Sequence, residues 1–194
     1  ISVMDRGFLF ADGVYEYIPY FSSGPLAADA HLARLTRSLS HIHMENPHSD
    51  TEWDAIFANL IEKNDFTQGK QNFAIYIQVT RGPQAVRNHH LPKVYTPTVL
   101  AFPVKTKAMN HAPGNKVITA NDTRHDISHI KSISLLANLL HLHEAQRADA
   151  IETVLLRNDH LVECTHSNVF IVKDNAISTP PLANYMLSGI TRDI

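Results

Sequence analysis

The feature that limits the fold of this chain most strongly is an alternating apolar run, QNFAIYIQVTRG. Apolar residues occupy every second position from Phe73 to Val79, which is typical of a strand with one buried face. Two segments with apolar residues at helical spacing precede this strand, at residues 29–42 and 52–63. The change from a helical to a strand period favours an α+β fold.

Further strands are predicted from β-branched and aromatic runs bounded by turn residues. They lie at residues 14–21, 96–104, 116–120, 152–157, 160–164, 167–173 and 176–180. The dipeptides ND and DN separate strands in the last part of the chain, where they favour tight turns and an antiparallel meander.

Two polar residues are predicted to begin helices. Asp29 is a suitable N-cap for the first helix, which runs through Ile42, and Ser132 is a suitable N-cap for a leucine-rich helix later in the chain. The leucines of that later helix are expected to form a broad buried face. They are Leu135, Leu136, Leu139, Leu140 and Leu142.

Composition narrows the class of protein. The chain has 194 residues, 44% of them hydrophobic, which suffices for two modest lobes. Apolar residues thin out around residues 103–114, so lobes are predicted at 1–104 and 105–194. A net charge of −2 argues against general binding to nucleic acid or membranes, and the single Cys164 favours a reducing, cytoplasmic location.

A lysine lies at the predicted start of the leucine-rich helix. Lys131 directly precedes Ser132, so the positive end of the helix dipole would favour its neutral, nucleophilic form. An exposed lysine with its stem packed on Ile130 is the alternative interpretation.

Seven motifs in order extend this observation over nearly the whole chain. They are DRGFLFADGVYEYI (5–18), HLARL (31–35), QVTRG (78–82), RNHHLP (87–92), IKSISLLANLLHLHEA (130–145), ECTHSNVF (163–170) and LSGITRD (187–193). Together they resemble the class IV, or fold type IV, aminotransferases that use pyridoxal phosphate, and are most similar to the D-amino-acid aminotransferases among them. The resemblance implies a two-lobed architecture, and against it the chain is expected to be truncated at both ends.

The resemblance implies the catalytic roles. Lys131 would hold pyridoxal 5′-phosphate as a Schiff base and, once released, would move a proton from the substrate's Cα. Glu163 would pair with the pyridine nitrogen, and Arg34 would bind the phosphate. The remaining residues implied to contact the cofactor are Ser167, Asn168, Leu187, Ile190 and Thr191.

The resemblance also implies the substrate. Arg87 and His89 match an Arg-x-His pattern that, with Tyr15, captures the substrate's α-carboxylate across the interface of a homodimer. The expected reaction is transfer of the amino group from a D-amino acid such as D-alanine to 2-oxoglutarate or pyruvate. It would run by a ping-pong mechanism through pyridoxamine phosphate.

Three positions depart from the family pattern, and three alternatives stay open. His129, Ser134 and His166 stand where an aspartate, an asparagine and a small hydroxyl residue are usual. A branched-chain aminotransferase or an aminodeoxychorismate lyase would share the lysine and the glutamate. A non-catalytic dimerising relative is the third alternative. The 13 histidines include HIH and HLH, whose members diverge on a helix, so no metal site is predicted.

Overall fold

The computed structural model describes residues 1–64, 72–106 and 114–194. The chain divides into two compact units, Ile1–Met109 with Ile130–Ser134, and Asn110–His129 with Leu135–Ile194. Part of the predicted lobe boundary at residues 103–114 lies outside the described residues. Within the described ranges, no helix is long and apolar enough to cross a membrane.

A four-stranded antiparallel sheet forms the centre of the first unit. Its strands are β1 (Gly13–Phe21), β2 (Gly24–Pro25), β3 (Phe73–Thr80) and β4 (Thr98–Lys105), in the order β2-β1-β3-β4. The predicted alternation on β3 is confirmed, because Phe73, Ile75, Ile77 and Val79 are all buried. The strand predicted at residues 14–21 corresponds to β1.

Among the described residues, this unit has three helices, which are α1 (Arg6–Phe10), α2 (Ala28–His41) and α3 (Asp50–Lys63). The apolar stripe of α2 is buried, with Leu35 and Leu39 fully inaccessible. The predicted N-cap of α2 is wrong, because Asp29 lies within the first turn and Ala27, in a left-handed conformation, precedes the helix. A capping box of Ser49 and Glu52 begins α3.

The segment Ile130–Ser134 pairs with β1 through an isolated bridge. The amide of Tyr15 donates to the carbonyl of Lys131 at 2.9 Å, and that of Ile133 donates to Gly13 at 3.1 Å. The prediction that Ser132 caps a helix is therefore wrong. Ser132 forms a bridge with Val14, because the backbone groups of Lys131 and Ile133 on either side of it bond to Tyr15 and Gly13 of β1.

The second unit contains β5 (Val117–Asn121), α4 (Leu136–Arg147), β6 (Glu152–Arg157), β7 (His160–Cys164), β8 (Ile171–Lys173), β9 (Ala176–Ser178) and α5 (Ile190–Asp193). Both predicted tight turns are confirmed, since Asn158–Asp159 and Asp174–Asn175 have positive φ in antiparallel hairpins. A single meander is not formed. β5 pairs with β6 in parallel, and β8-β9 is a separate sheet.

Helix α4 differs from its prediction in its buried face. Leu136, Leu139 and Leu140 are 70%, 58% and 59% exposed, whereas Ala145 is fully buried. The side of α4 that is buried is therefore not the one that carries these leucines. A hydrogen bond also connects α4 with β6, since Thr153 Oγ1 donates to the His141 carbonyl at 2.7 Å.

Candidate active site

Lys131, in the first unit, lies over an aromatic ring. Its Nζ is 4.3 Å from the centroid of the Tyr15 ring, within the range of a cation–π contact. Tyr15 is also stacked on Tyr76, and burial raises the pKa of the Tyr15 phenol to about 12. The helix-dipole argument for Lys131 is wrong, because α4 begins only at Leu136. Strand pairing with β1 positions the lysine instead.

Arg34, also in the first unit, takes part in a buried ion pair. Its Nε and Nη2 donate to the two carboxylate oxygens of Glu16 at 2.7 and 2.8 Å, and His31 Nδ1 lies 2.8 Å from Glu16 Oε2. Burial would raise the pKa of Glu16, but hydrogen bonds from Arg34 and His31 hold it below its usual value. The guanidinium is therefore rigidly oriented, while its contact with a phosphate stays a prediction.

Glu163, in the second unit, accepts hydrogen bonds from three separate places. Arg124 Nη1 and the amide of Leu187 donate to Oε1 at 2.6 and 3.2 Å, and Asn168 Nδ2 donates to Oε2 at 3.2 Å. Burial raises the pKa of Glu163, and the Arg124 guanidinium opposes that rise. Arg124 is itself held by a two-point contact with Asp122. The carboxylate is thus buried and fixed in orientation.

A close approach fixes Asn168 beside Gly189. Asn168 Nδ2 lies 3.3 Å from the carbonyl of Leu187, and a Cβ on Gly189 would be 1.8 Å from Asn168 Oδ1. A side chain at position 189 would therefore displace the Asn168 amide. Ile190 and Thr191 follow in the first turn of α5, where amides have no intrahelical acceptor.

Ser167 lies in a short loop that a second glutamate organises. Glu152 accepts from Thr165 Oγ1 at 3.0 Å, from the His166 amide at 2.7 Å and from Ser167 Oγ at 2.7 Å. Burial would raise the pKa of Glu152, but hydrogen bonds from the His166 imidazole, the His166 amide and Ser167 hold it at about 2. His166 Nδ1 lies 3.0 Å from Glu152 Oε1, which raises the pKa of the imidazole. This departure from the family pattern is thereby accommodated by an ion pair.

Arg87 and His89, in the first unit, both contact one aromatic ring. The Arg87 guanidinium is 4.8 Å and the His89 ring 5.1 Å from the centroid of Phe10. Both side chains belong to exposed residues. Across the described part of the chain, no hydrogen bond or ring contact joins either of them to Tyr15.

The model of the family described as amino-transferase class IV matches residues 13–194. D-alanine aminotransferase from Bacillus licheniformis is 37% identical over 99% of this chain and 67% of its own length. The enzyme of that name from Listeria monocytogenes serotype 4b (strain F2365) is 34% identical over 100% of this chain and 67% of its own length.

The chain belongs to the class IV aminotransferases.

The fold is accordingly fold type IV. A fold IV transaminase from Curtobacterium pusillum matches with a TM-score of 0.85 and 22% identity, over 100% of this chain and 68% of its own. The branched-chain amino acid aminotransferase of Escherichia coli also matches with a TM-score of 0.85, at 24% identity over 100% of this chain and 66% of its own.

Pyridoxal phosphate is the cofactor of class IV aminotransferases, and the residues of this chain fit it. The cofactor requires an amine, a carboxylate that stays charged and donors for a phosphate. The first unit supplies Lys131 and the oriented Arg34, and the second supplies Glu163, fixed by Arg124.

Three residues of this class IV aminotransferase were missed from the sequence: Glu16, Arg124 and Glu152. Each is a buried partner of a predicted site residue. Glu16 lies within the motif DGVYE and could have been paired with Arg34 as a buried opposite charge. Arg124 is separated from Glu163 by 39 positions, and no local pattern connects them.

Proposed function

We propose that this class IV aminotransferase transfers the amino group of D-amino acids, such as D-alanine, to 2-oxoglutarate or pyruvate. The observation that supports this substrate class is that Arg87 and His89 both contact Phe10. This Arg-x-His pattern is the one that the sequence shares with D-amino-acid aminotransferases. The identity of 34–37% with D-alanine aminotransferases over the chain supports the same substrate class.

The bound cofactor would supply an electron sink for the negative charge that develops at the substrate's Cα. Lys131 would hold it covalently, and Arg34, Ile190 and Thr191 would bind its phosphate. Ser167, Asn168 and Leu187 would complete the contacts near the ring, with Asn168 and Leu187 acting beside Glu163.

Two side chains of the chain would bind or transfer protons in the reaction. Lys131 Nζ is the proposed base that removes the proton from the substrate's Cα, which requires an amine able to become neutral. Glu163 is the proposed acceptor that retains a proton on the pyridine nitrogen. The charge of Arg124 at 2.6 Å from Oε1 favours the ionised carboxylate, and this is the form that such a contact needs.

The substrate's carboxylate would be bound by Arg87 and His89 together with Tyr15. We propose that the chain acts as a homodimer in which Arg87 and His89 of one chain bind the substrate's carboxylate together with Tyr15 of the other chain. The exposed positions of Arg87 and His89 are compatible with that arrangement, and guanidinium suits two-point binding of a carboxylate.

The test is a stereospecific transamination assay with the pyridoxal-phosphate-loaded protein. D-alanine with 2-oxoglutarate is expected to yield pyruvate and glutamate, whereas L-alanine and L-leucine are expected to be poor donors. Turnover of L-leucine in preference to D-alanine would indicate a branched-chain aminotransferase. Pyruvate released from aminodeoxychorismate, without transamination of either amino acid, would indicate a lyase.

A further inference from the structure

Arg6 is a buried arginine that lies beneath the loop carrying Arg87 and His89. It is 4% exposed and begins α1, which ends at Phe10. Its Nη1 lies 3.0 Å from Gln84 Oε1, 2.6 Å from the carbonyl of Asn88 and 3.4 Å from that of His90. One guanidinium nitrogen therefore contacts the loop on both sides of Arg87.

The other end of the Arg6 guanidinium is anchored in the unit. Nε donates to Asp12 Oδ2 at 2.7 Å, and the backbone amide of Arg6 donates to Gly82 at 3.0 Å. Burial would raise the pKa of Asp12, but hydrogen bonds from Arg81 and Arg6 keep it below its usual value. The charge of Arg6 is thus compensated inside the unit.

Arg87 differs from Arg6 in this respect. Among the described residues it makes no hydrogen bond or ion pair, and its guanidinium lies 4.8 Å from the centroid of the Phe10 ring. The Arg6 guanidinium lies 4.8 Å from the same centroid. Arg6 and Arg87 therefore both contact the Phe10 ring. The charge of Arg87 remains available to bind a ligand.

The loop itself lacks regular structure. Residues 85–90 are exposed and belong to neither a helix nor a strand, so local backbone hydrogen bonding does little to fix the direction of Arg87. Capture of a carboxylate by two side chains depends on their geometry, and small displacements weaken it. A contact that orders the loop from below would improve binding of the substrate.

We propose that Arg6 is a positioning residue for substrate capture, which holds the loop Gln84–His90 so that Arg87 and His89 rest on Phe10. This inference rests on the proposed function and adds the residue that determines the geometry of the carboxylate site. Arg6 acts through the loop and touches no reacting atom.

The chain offers a matched control in Arg81. It is 3% exposed and binds the same Asp12, at 2.9 Å from Nε to Oδ2 and 3.1 Å from Nη2 to Oδ1. Its remaining hydrogen bonds go to the carbonyls of Ile42 and His43, and none goes to the loop among the described residues. Arg6→Lys and Arg81→Lys therefore make the same chemical change with and without loss of the loop contacts.

The experiment compares hydrogen exchange of residues 84–90 with the steady-state constants for D-alanine in the cofactor-loaded protein. In Arg6→Lys the loop is expected to exchange faster, and KM to rise about tenfold with kcat within about threefold, because a point charge cannot replace the planar fork. In Arg81→Lys both loop exchange and KM are expected to stay close to wild type. Phe10→Leu, which removes the shared ring, is expected to raise KM about threefold.

Four outcomes would overturn the proposal. They are an unchanged KM in both Arg6→Lys and Phe10→Leu, a KM that rises equally in Arg81→Lys, a fall confined to kcat, and a faster loop exchange without a rise in KM. If Arg6→Lys does not fold, Phe10→Leu decides alone. A wild-type protein inactive towards D-alanine would contradict the proposed function itself and remove this inference with it, before any variant is compared.

Discussion

Lys131 and Glu163, one in each unit, are held in contrasting ways. The carboxylate of Glu163 receives hydrogen bonds from Arg124, Asn168 and the amide of Leu187. Lys131 is fixed through its backbone, by the hydrogen bond from Tyr15, while its amine lies over the Tyr15 ring. The contact with the ring is far less directional than the hydrogen bonds to the carboxylate.

This contrast follows from the work proposed for each group. A base that takes up and returns a proton must move at the end of a flexible stem, and four rotatable bonds extend from a fixed backbone in Lys131. A carboxylate that must keep its charge against one nitrogen is better held still. The comparison therefore separates a group held through its backbone from one held through its side chain, and variants can test each description.

The largest effect is expected from Lys131→Ala. Loss of the amine removes both the covalent attachment and the base, so kcat/KM for D-alanine should fall about 10⁴-fold or more. Steady-state kinetics measure this, with Lys116→Ala as control, because Lys116 Nζ donates to the Ala148 carbonyl at the C-cap of α4. Activity within tenfold of wild type in Lys131→Ala would contradict this description, because the Lys131 amine would then not be the base.

A smaller effect is expected from Glu163→Gln. The amide keeps the size of the side chain but loses the charge, so kcat should fall about 100-fold while the protein still binds pyridoxal phosphate. Kinetics and a cofactor-binding titration measure the two properties. An unchanged kcat would show that the fixed carboxylate has no part in the chemistry.

The smallest effect is expected from Glu152→Gln, which changes the other buried glutamate that hydrogen bonds hold in the second unit. The pKa of Glu152 is lowered to about 2 from 4.5, so its ionisation stabilises the fold above pH 4.5. This stabilisation is lost as the pH falls towards 2, and its size at neutral pH is on the order of 2 kcal/mol.

The free energy of unfolding in urea, measured from pH 7 to pH 3, tests this expectation. Glu152→Gln should be less stable than wild type at pH 7, and the difference should shrink as the pH falls. Glu144→Gln is the control, because Glu144 is an exposed residue of α4 paired with Arg147 at 3.5 Å. A difference that does not depend on pH would mean that the charge of Glu152 is not what stabilises the loop.

The two leucine-rich helices show how far the sequence could predict the fold. Helical spacing was sufficient for α2, where Leu32, Leu35 and Leu39 are buried against the sheet. The same kind of pattern failed for α4, where Leu136 and Leu139 are exposed. Spacing shows that side chains share a face, but the surface that covers that face depends on distant parts of the chain.

The helix starts give a similar lesson. Asp29 and Ser132 are residue types that favour N-caps, yet the strand pairing of residues 130–134 with β1 prevented a helix at Ser132. By contrast, Ser49 and Glu52 form a reciprocal capping box at the start of α3. A reciprocal pair of residues thus predicts a boundary better than a single polar residue.

The candidate site also contains residues that local sequence patterns indicate and residues that they do not. Motifs predict Lys131, Arg34 and Glu163 as site residues, because each lies within a recognisable stretch of sequence. The partners Arg124 and Arg6 were not found, since their contacts join residues 39 and 78 or more positions apart. Such pairs depend on the folded sheets and loops that bring them together.

The most direct test of the account is a single half-reaction. The purified protein loaded with pyridoxal phosphate is mixed with D-alanine in the absence of an acceptor, and pyruvate and the absorption spectrum of the cofactor are followed. The account predicts about one pyruvate per cofactor from D-alanine, with conversion of the cofactor to its amino form, and almost none from L-alanine. No pyruvate from D-alanine, with the cofactor spectrum unchanged, would contradict it.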